Sequence, residues 1–147
     1  MRTIKFRGKS EVFNEWLIGN LVVADNGTCC ICKPQEMEMD GHHIRQFADR
    51  PLYVKPETIG QFSGEIDDKA KEIFEGDIIR FSFLDHDSDT GWHGTVETIN
   101  AVRFEYAEFR IDTYPYRLNH CWDMTDAKVE VIGNIYDNPE FIKEEKK

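Results

Sequence analysis

Two glycine-punctuated stretches constrain this chain more than any other feature of its 147 residues. One runs from Lys71 to Phe81 and centres on Glu75-Gly76-Asp77; the other runs from Val129 to Pro139 and contains Gly133-Asn134. After Gly76, Ile79, Phe81 and Phe83 alternate with Ile78, Arg80 and Ser82, the period of a half-buried strand. Gly76 stands where a tight turn wants a positive φ, which glycine adopts at little cost. Between the two stretches, Val96 and Ile99, then Val102, Phe104 and Tyr106, then Phe109 and Ile111 mark further short strands, and Asp85–Gly91 reads as a polar loop. Short strands separated by turn signals indicate an antiparallel barrel or sandwich. The expectation is a mainly β fold: a small antiparallel, SH3-like or similar β-barrel in the C-terminal half, opened and closed by these two stretches.

The N-terminal part reads as a β-hairpin region. Thr3–Arg7 and Trp16–Val23 have strand character, Asp25-Asn26-Gly27 supplies a hairpin turn, and Thr28–Lys33 returns. From Pro34 to Pro51 neither a period of two nor a helical stripe survives, so a long loop is expected there. Such loops are commonly functional or mobile. Tyr53–Phe62 reads as a short strand interrupted by Pro56, and Asp67–Lys71 as a polar turn. Asn138-Pro139-Glu140 caps a short C-terminal helix, since proline is tolerated in a first helical turn. The expected organisation is one domain over 1–147, with a β and loop subregion at 1–64, the barrel at 65–142 and a tail at 143–147.

Ten Phe and three Trp make a packed core attainable. The formal charge of -10 disfavours nucleic acid as a partner, because strand and duplex binding rest on Lys and Arg neutralising phosphate. No apolar run approaches the roughly 18 residues needed to cross a bilayer, and Met1–Arg7 lacks a following apolar core of signal-peptide type. A cytosolic protein without a membrane partner is expected. Three cysteines crowded at positions 29, 30 and 32 and one at 121 make a poor disulfide framework, so reduced thiols are expected.

Each chemical candidate competes with a plainer explanation. Cys29 and Cys32 have zinc-like spacing, and His42 or His43 lies about ten residues on. A second matching pair is missing, and thiols on a strand often serve as small hydrophobes. No cofactor is expected, with zinc as the alternative. Asp85–Gly91 carries alternating oxygens like a calcium loop, but its glycine falls at position seven and Val96 at twelve, against glycine at six and Glu at twelve in the EF-hand. Glu75 and Asp77 are spaced to share a face, yet carboxylates beside a glycine turn mostly accept from backbone N–H groups. His120, Cys121 and Asp123 hold nucleophile, base and orienter letters, but triads are assembled in space rather than from sequence neighbours. Phe104, Tyr106, Phe109, Tyr114, Tyr116 and Trp122 could stack bases; amid so much acidity they read better as core and protein-binding surface.

Four segments resemble one family. Val54–Gly64 looks like a "PETIGQFTG" segment, Glu72–Ile78 is similar to an "iyEGDI" core, Ile132–Pro139 resembles an "IGNIYENPEL" ending, and Arg2–Arg7 looks like the family start. These are motifs of the phage-encoded YopX proteins, and they frame essentially the whole chain in the right order. Where the family carries a "kDknGk" turn before its "EGD", this chain has Ala70 in place of the glycine. The resemblance implies a small, mostly β protein of phage or prophage origin acting in the host cytoplasm. It gives Glu75, Gly76, Asp77, Gly133, Asn134 and Pro139 a structural part and implies no catalytic residues. The resulting expectation is a non-enzymatic accessory module that contacts a host or phage protein through Pro34–Arg50 and an acidic barrel surface. The alternatives are a small metal-dependent hydrolase and a nucleic-acid-binding barrel. Uncapped edge strands would also permit homo-oligomers.

Overall fold

In a computed structural model, which describes residues 1–33, 37–40, 43–46 and 52–143 (the two short internal segments as backbone only), the chain forms two units, Met1–Phe62 and Ser63–Lys147. In the first unit, β1 (Phe6–Lys9), β2 (Trp16–Val23) and β3 (Cys29–Cys32) make an antiparallel sheet in the order β3-β2-β1. The expected hairpin at Asp25-Asn26-Gly27 is there: Val23 faces Cys29, and Gly27 takes φ 85°. The first strand begins later than its sequence suggested, at Phe6. Leu17, Cys29, Ile31 and Val54 form the core of this unit. Gly19 permits the close pairing of β2 with β3, since a Cβ there would stand 2.3 Å from the Cys32 carbonyl oxygen.

Within 34–51, where a long loop was expected, β4 (Met37–Asp40) and β5 (His43–Gln46) pair as an antiparallel hairpin. Met37 and Met39 alternate with Glu38 and Asp40 in β4, but Ile44 is the single apolar residue of β5, too short an alternation to mark the hairpin. Pro56–Thr58 forms a single 3-10 turn, where proline fits at the first position. Strand β6 (Gly60–Ile66) follows, its first residues adding to β1.

The second unit is organised around β8 (Asp77–Asp87), which is flanked by β12 (Lys128–Asn134) and β9 (Trp92–Ala101). Ile79, Phe81 and Phe83 point into one core with Ile73, Val102, Ile111, Leu118, Cys121, Val129 and Val131. Arg80 is exposed as the alternation requires, but Ile78 is fully buried on the opposite face. A second hairpin, β10 (Arg103–Glu105) and β11 (Glu108–Arg110), and a 3-10 segment at Leu118–Asp123 complete the unit with β7 (Glu72–Phe74) and the one-turn helix α1 (Glu140–Lys143). The mainly β, antiparallel expectation holds. The sheet β12-β8-β9 stays open, and among the described residues no closed barrel forms. Asp85–Asp87, expected in a loop, extend β8, because the β8–β9 ribbon continues past the end of β12 and exposes both faces. No helix among the described residues is long and apolar enough to cross a membrane.

The turn before β7 protects the outer edge of β12. Asp67 Oδ2 accepts the Val131 N–H at 2.9 Å, and Asp68 Oδ2 accepts the Val129 N–H at 2.7 Å. Two carboxylates therefore occupy backbone donors that an edge strand otherwise offers to other chains. Ala70 closes the same turn at φ 62°, so the glycine-type geometry persists without the glycine. A left-handed L-residue costs about 1–2 kcal/mol, part of which glycine returns through its freer unfolded chain. Ala70→Gly is accordingly expected to stabilise the fold by about 0.5–1 kcal/mol, read as a rise in the urea midpoint at unchanged slope.

Candidate functional site

The Glu75-Gly76-Asp77 turn and the Gly133–Pro139 segment meet through backbone hydrogen bonds. Gly76, at φ 88°, donates its N–H to the Val102 carbonyl at 2.8 Å and accepts the Ile135 N–H at 2.9 Å. The Val102 N–H returns to the Asp77 carbonyl at 2.8 Å. Asp77 is almost completely buried, and its Oδ2 accepts the Phe74 N–H at 2.8 Å, locking the turn from within.

Asn134 does the equivalent on the other side. Its Oδ1 accepts the N–H groups of Tyr136 and Asp137 at 3.0 and 2.9 Å, its Nδ2 donates to Asp137 Oδ2, and its own N–H reaches Asn138 Oδ1 at 3.2 Å. This clamp lifts Ile135 and Tyr136 outward and delivers Pro139 to the start of α1. Gly133 is needed because a Cβ there would lie 2.4 Å from Asn138 Oδ1 and 3.0 Å from its Cβ. Gly133→Ala is expected to cost about 1–3 kcal/mol by displacing the Asn138 side chain from the Asn134 N–H. Loss of amide protection at Asn134, measured by hydrogen exchange, would localise the damage.

Together the two turns and the β9–β10 connection enclose an open groove of about 500 Å³. Gly76 and Val102 line its floor, and Phe104, Ile135, Tyr136 and Ile142 its apolar walls. Glu75, Glu105 and Arg103 stand at its lip. Arg103 Nη2 lies 3.1 Å from Asp112 Oδ2, an ion pair exposed to solvent. The groove lies in the part of the chain that carries all of its charge excess. Residues 63–147 hold 20 acidic against 10 basic side chains, and residues 1–62 hold 8 against 8.

The segments that build this groove fall within the match to a family model. The model described as YopX protein matches residues 5–143. The chain belongs to the YopX family. Among solved structures, this YopX chain is similar to protein EF1440 from Enterococcus faecalis, with a TM-score of 0.57, 22% identity, and coverage of 97% of this chain and 99% of that one. At that identity the likeness concerns the fold alone. No match was found among curated proteins.

The other candidate residues of this YopX chain do not gather. Cys29 and Cys32 are three apart on β3, which places them on opposite faces of the strand. Cys29 faces the N-terminal core, and its thiol donates to the Gly27 carbonyl. His42 lies outside the described residues, and His43 is described only as the backbone start of β5. Among the described residues no group of three or more His, Cys, Asp or Glu is arranged to hold a metal ion, and the four cysteines are thiols. Asp87 closes the β8–β9 turn by accepting the Asp89 N–H and the Thr90 hydroxyl, each at 2.9 Å, the plain polar-turn explanation of those residues. Cys121 is fully buried in the C-terminal core, and burial pushes its thiol up to about 12, leaving no thiolate for nucleophilic chemistry.

The groove walls were the residues that sequence reasoning missed. From the sequence, Phe104 reads as core or protein-binding surface, and Ile135 and Tyr136 only as a strand end. Their convergence depends on Gly76 bonding both Val102 and Ile135, and no local pattern reports such a link.

Proposed function

We propose that this YopX chain is a non-enzymatic interaction module of phage or prophage origin that works in the host cytoplasm by binding a host or phage protein. The groove carries the reading. In both family turns a side-chain oxygen, Asp77 Oδ2 and Asn134 Oδ1, accepts backbone N–H groups, and beside them lies a walled apolar surface. Phe104, Ile135 and Tyr136 are 44%, 37% and 36% exposed along it. Grouped apolar exposure of this kind marks binding surfaces, and aromatic anchors dominate interface energetics.

The reading is tested by affinity capture from host lysate with the wild type and Ile135→Ser side by side. Ile135 is partly exposed and outside the core clusters, so the variant should fold. A reproducible partner captured by wild type and lost by the variant is expected. Recovery of nothing reproducible, or equal recovery by both proteins, would count against it.

A further inference from the structure

We infer that His86 and His93, at the far end of the β8–β9 ribbon, form a two-imidazole clip for a late first-row divalent metal ion. The strand register sets the two residues directly opposite one another, so their side chains leave the same face. The hydrogen-bond phase of the ribbon brings them closer still. Leu84 gives its N–H at 2.8 Å to the Thr125 carbonyl, on the side away from β9, so Leu84 and its partner Thr95 exchange no backbone bonds. Val129 agrees with that phase: it faces Phe81 but sends its N–H outward to Asp68, which leaves Phe81 to bond β9. Two residues beyond Leu84, His86 and His93 are therefore a non-hydrogen-bonded pair as well. In pairs of that type the Cα atoms approach to about 4.5 Å and the side chains stand closest.

A histidine that serves the fold buries its ring or bonds it. Both of these residues are exposed, and among the described residues neither ring takes part in a hydrogen bond or an ion pair. Neutral imidazole suits nickel, copper and zinc, whereas calcium and magnesium want oxygen. The nearby carboxylates do not turn the site towards oxygen. Asp85 and Asp87 belong to the opposite face by alternation. Asp85 Oδ1 accepts the His86 backbone N–H, and Asp87 is committed to the turn. On the histidine face the next pair is Leu84 and Thr95. Two protein ligands leave the other positions of the ion to water, which makes this an exchangeable binding site and not a closed structural one.

The test is isothermal titration of the reduced full-length protein with nickel chloride, with Cys30→Ser as a control because Cys30 is the one cysteine that is not buried. One ion per chain is expected. His86→Ala and His93→Ala should each weaken binding about a hundredfold, the loss that follows when one arm of a two-point attachment goes. The double variant should lose little more than either single one, and Cys30→Ser should bind like the wild type. Magnesium chloride should give no binding heat. Nickel should also raise the urea midpoint of the wild type and not of the histidine variants. Paramagnetic broadening of the His86 and His93 ring signals by nickel, followed by NMR in the unsubstituted protein, decides the matter should a variant fold poorly. Absence of one-to-one binding, binding that survives either histidine substitution, loss caused by Cys30→Ser, or broadening centred on other histidines would overturn the clip.

Discussion

Phe81→Ala should destabilise the C-terminal unit by about 3–5 kcal/mol. The ring is completely buried at the centre of β8, stacked 5.1 Å from Phe83 and flanked by Val129 on β12. Truncation removes the transfer energy of a whole ring and leaves a cavity that two hydrogen-bonded neighbour strands can collapse into only partly. Urea denaturation followed by near-ultraviolet circular dichroism should show the midpoint falling steeply, since Trp122 packs against this core and reports on it. A loss below about 1 kcal/mol would mean that this cluster is not the main support of the unit.

Asp67→Asn should cost about 2–3 kcal/mol at neutral pH, and Asp67→Ala somewhat more. Asp67 Oδ1 accepts the N–H groups of Lys69 and Lys71 at 2.9 and 2.8 Å, while Oδ2 takes the buried Val131 N–H. An asparagine can keep the first pair only by turning its NH2 towards the Val131 N–H, donor against donor. Burial works against ionisation of Asp67, but the bonds from Val131, Lys71 and Lys69 and the charge of Lys71 outweigh it and hold the carboxyl below its usual range. A depressed folded value means that this stabilisation is present above the unfolded value, about 3.9, and disappears as pH falls through the folded one. Asparagine does not titrate. The stability gap between wild type and Asp67→Asn should therefore be constant near neutrality and close below about pH 4. A gap that stays constant into acid would show that the carboxylate charge is not what holds the β12 edge.

Where one face of a strand is wet and the other dry, the chain announced itself. Trp16–Val23 is β2 to the residue, and Ile79, Phe81 and Phe83 enter the core as their spacing requires. Gly76 takes the positive φ its setting demanded. Period-two reasoning fails where both faces are solvated. The far end of the β8–β9 ribbon is exposed on both faces, so it reads as a loop. It fails again where both faces are buried, as at Ile78. Closure of a barrel was also beyond it, because alternation shows which side of a strand is dry but not whether the last strand returns to the first. The groove was least legible of all. Residues 75–76, 101–105 and 135–142 are joined by bonds from a single glycine, and their apolar members look locally like strand ends.

Site-specific photo-crosslinking in living cells tests the central claim most directly. Phe104 in the groove wall is replaced by benzoylphenylalanine, with the same group at Trp92 as the control. Trp92 is also about half exposed, but lies at the opposite end of β9, roughly 30 Å along the strand from the groove. The interaction-module account predicts one protein adduct from position 104, absent from position 92 and suppressed by Ile135→Ser. No adduct from either position, or the same adducts from both, would contradict it.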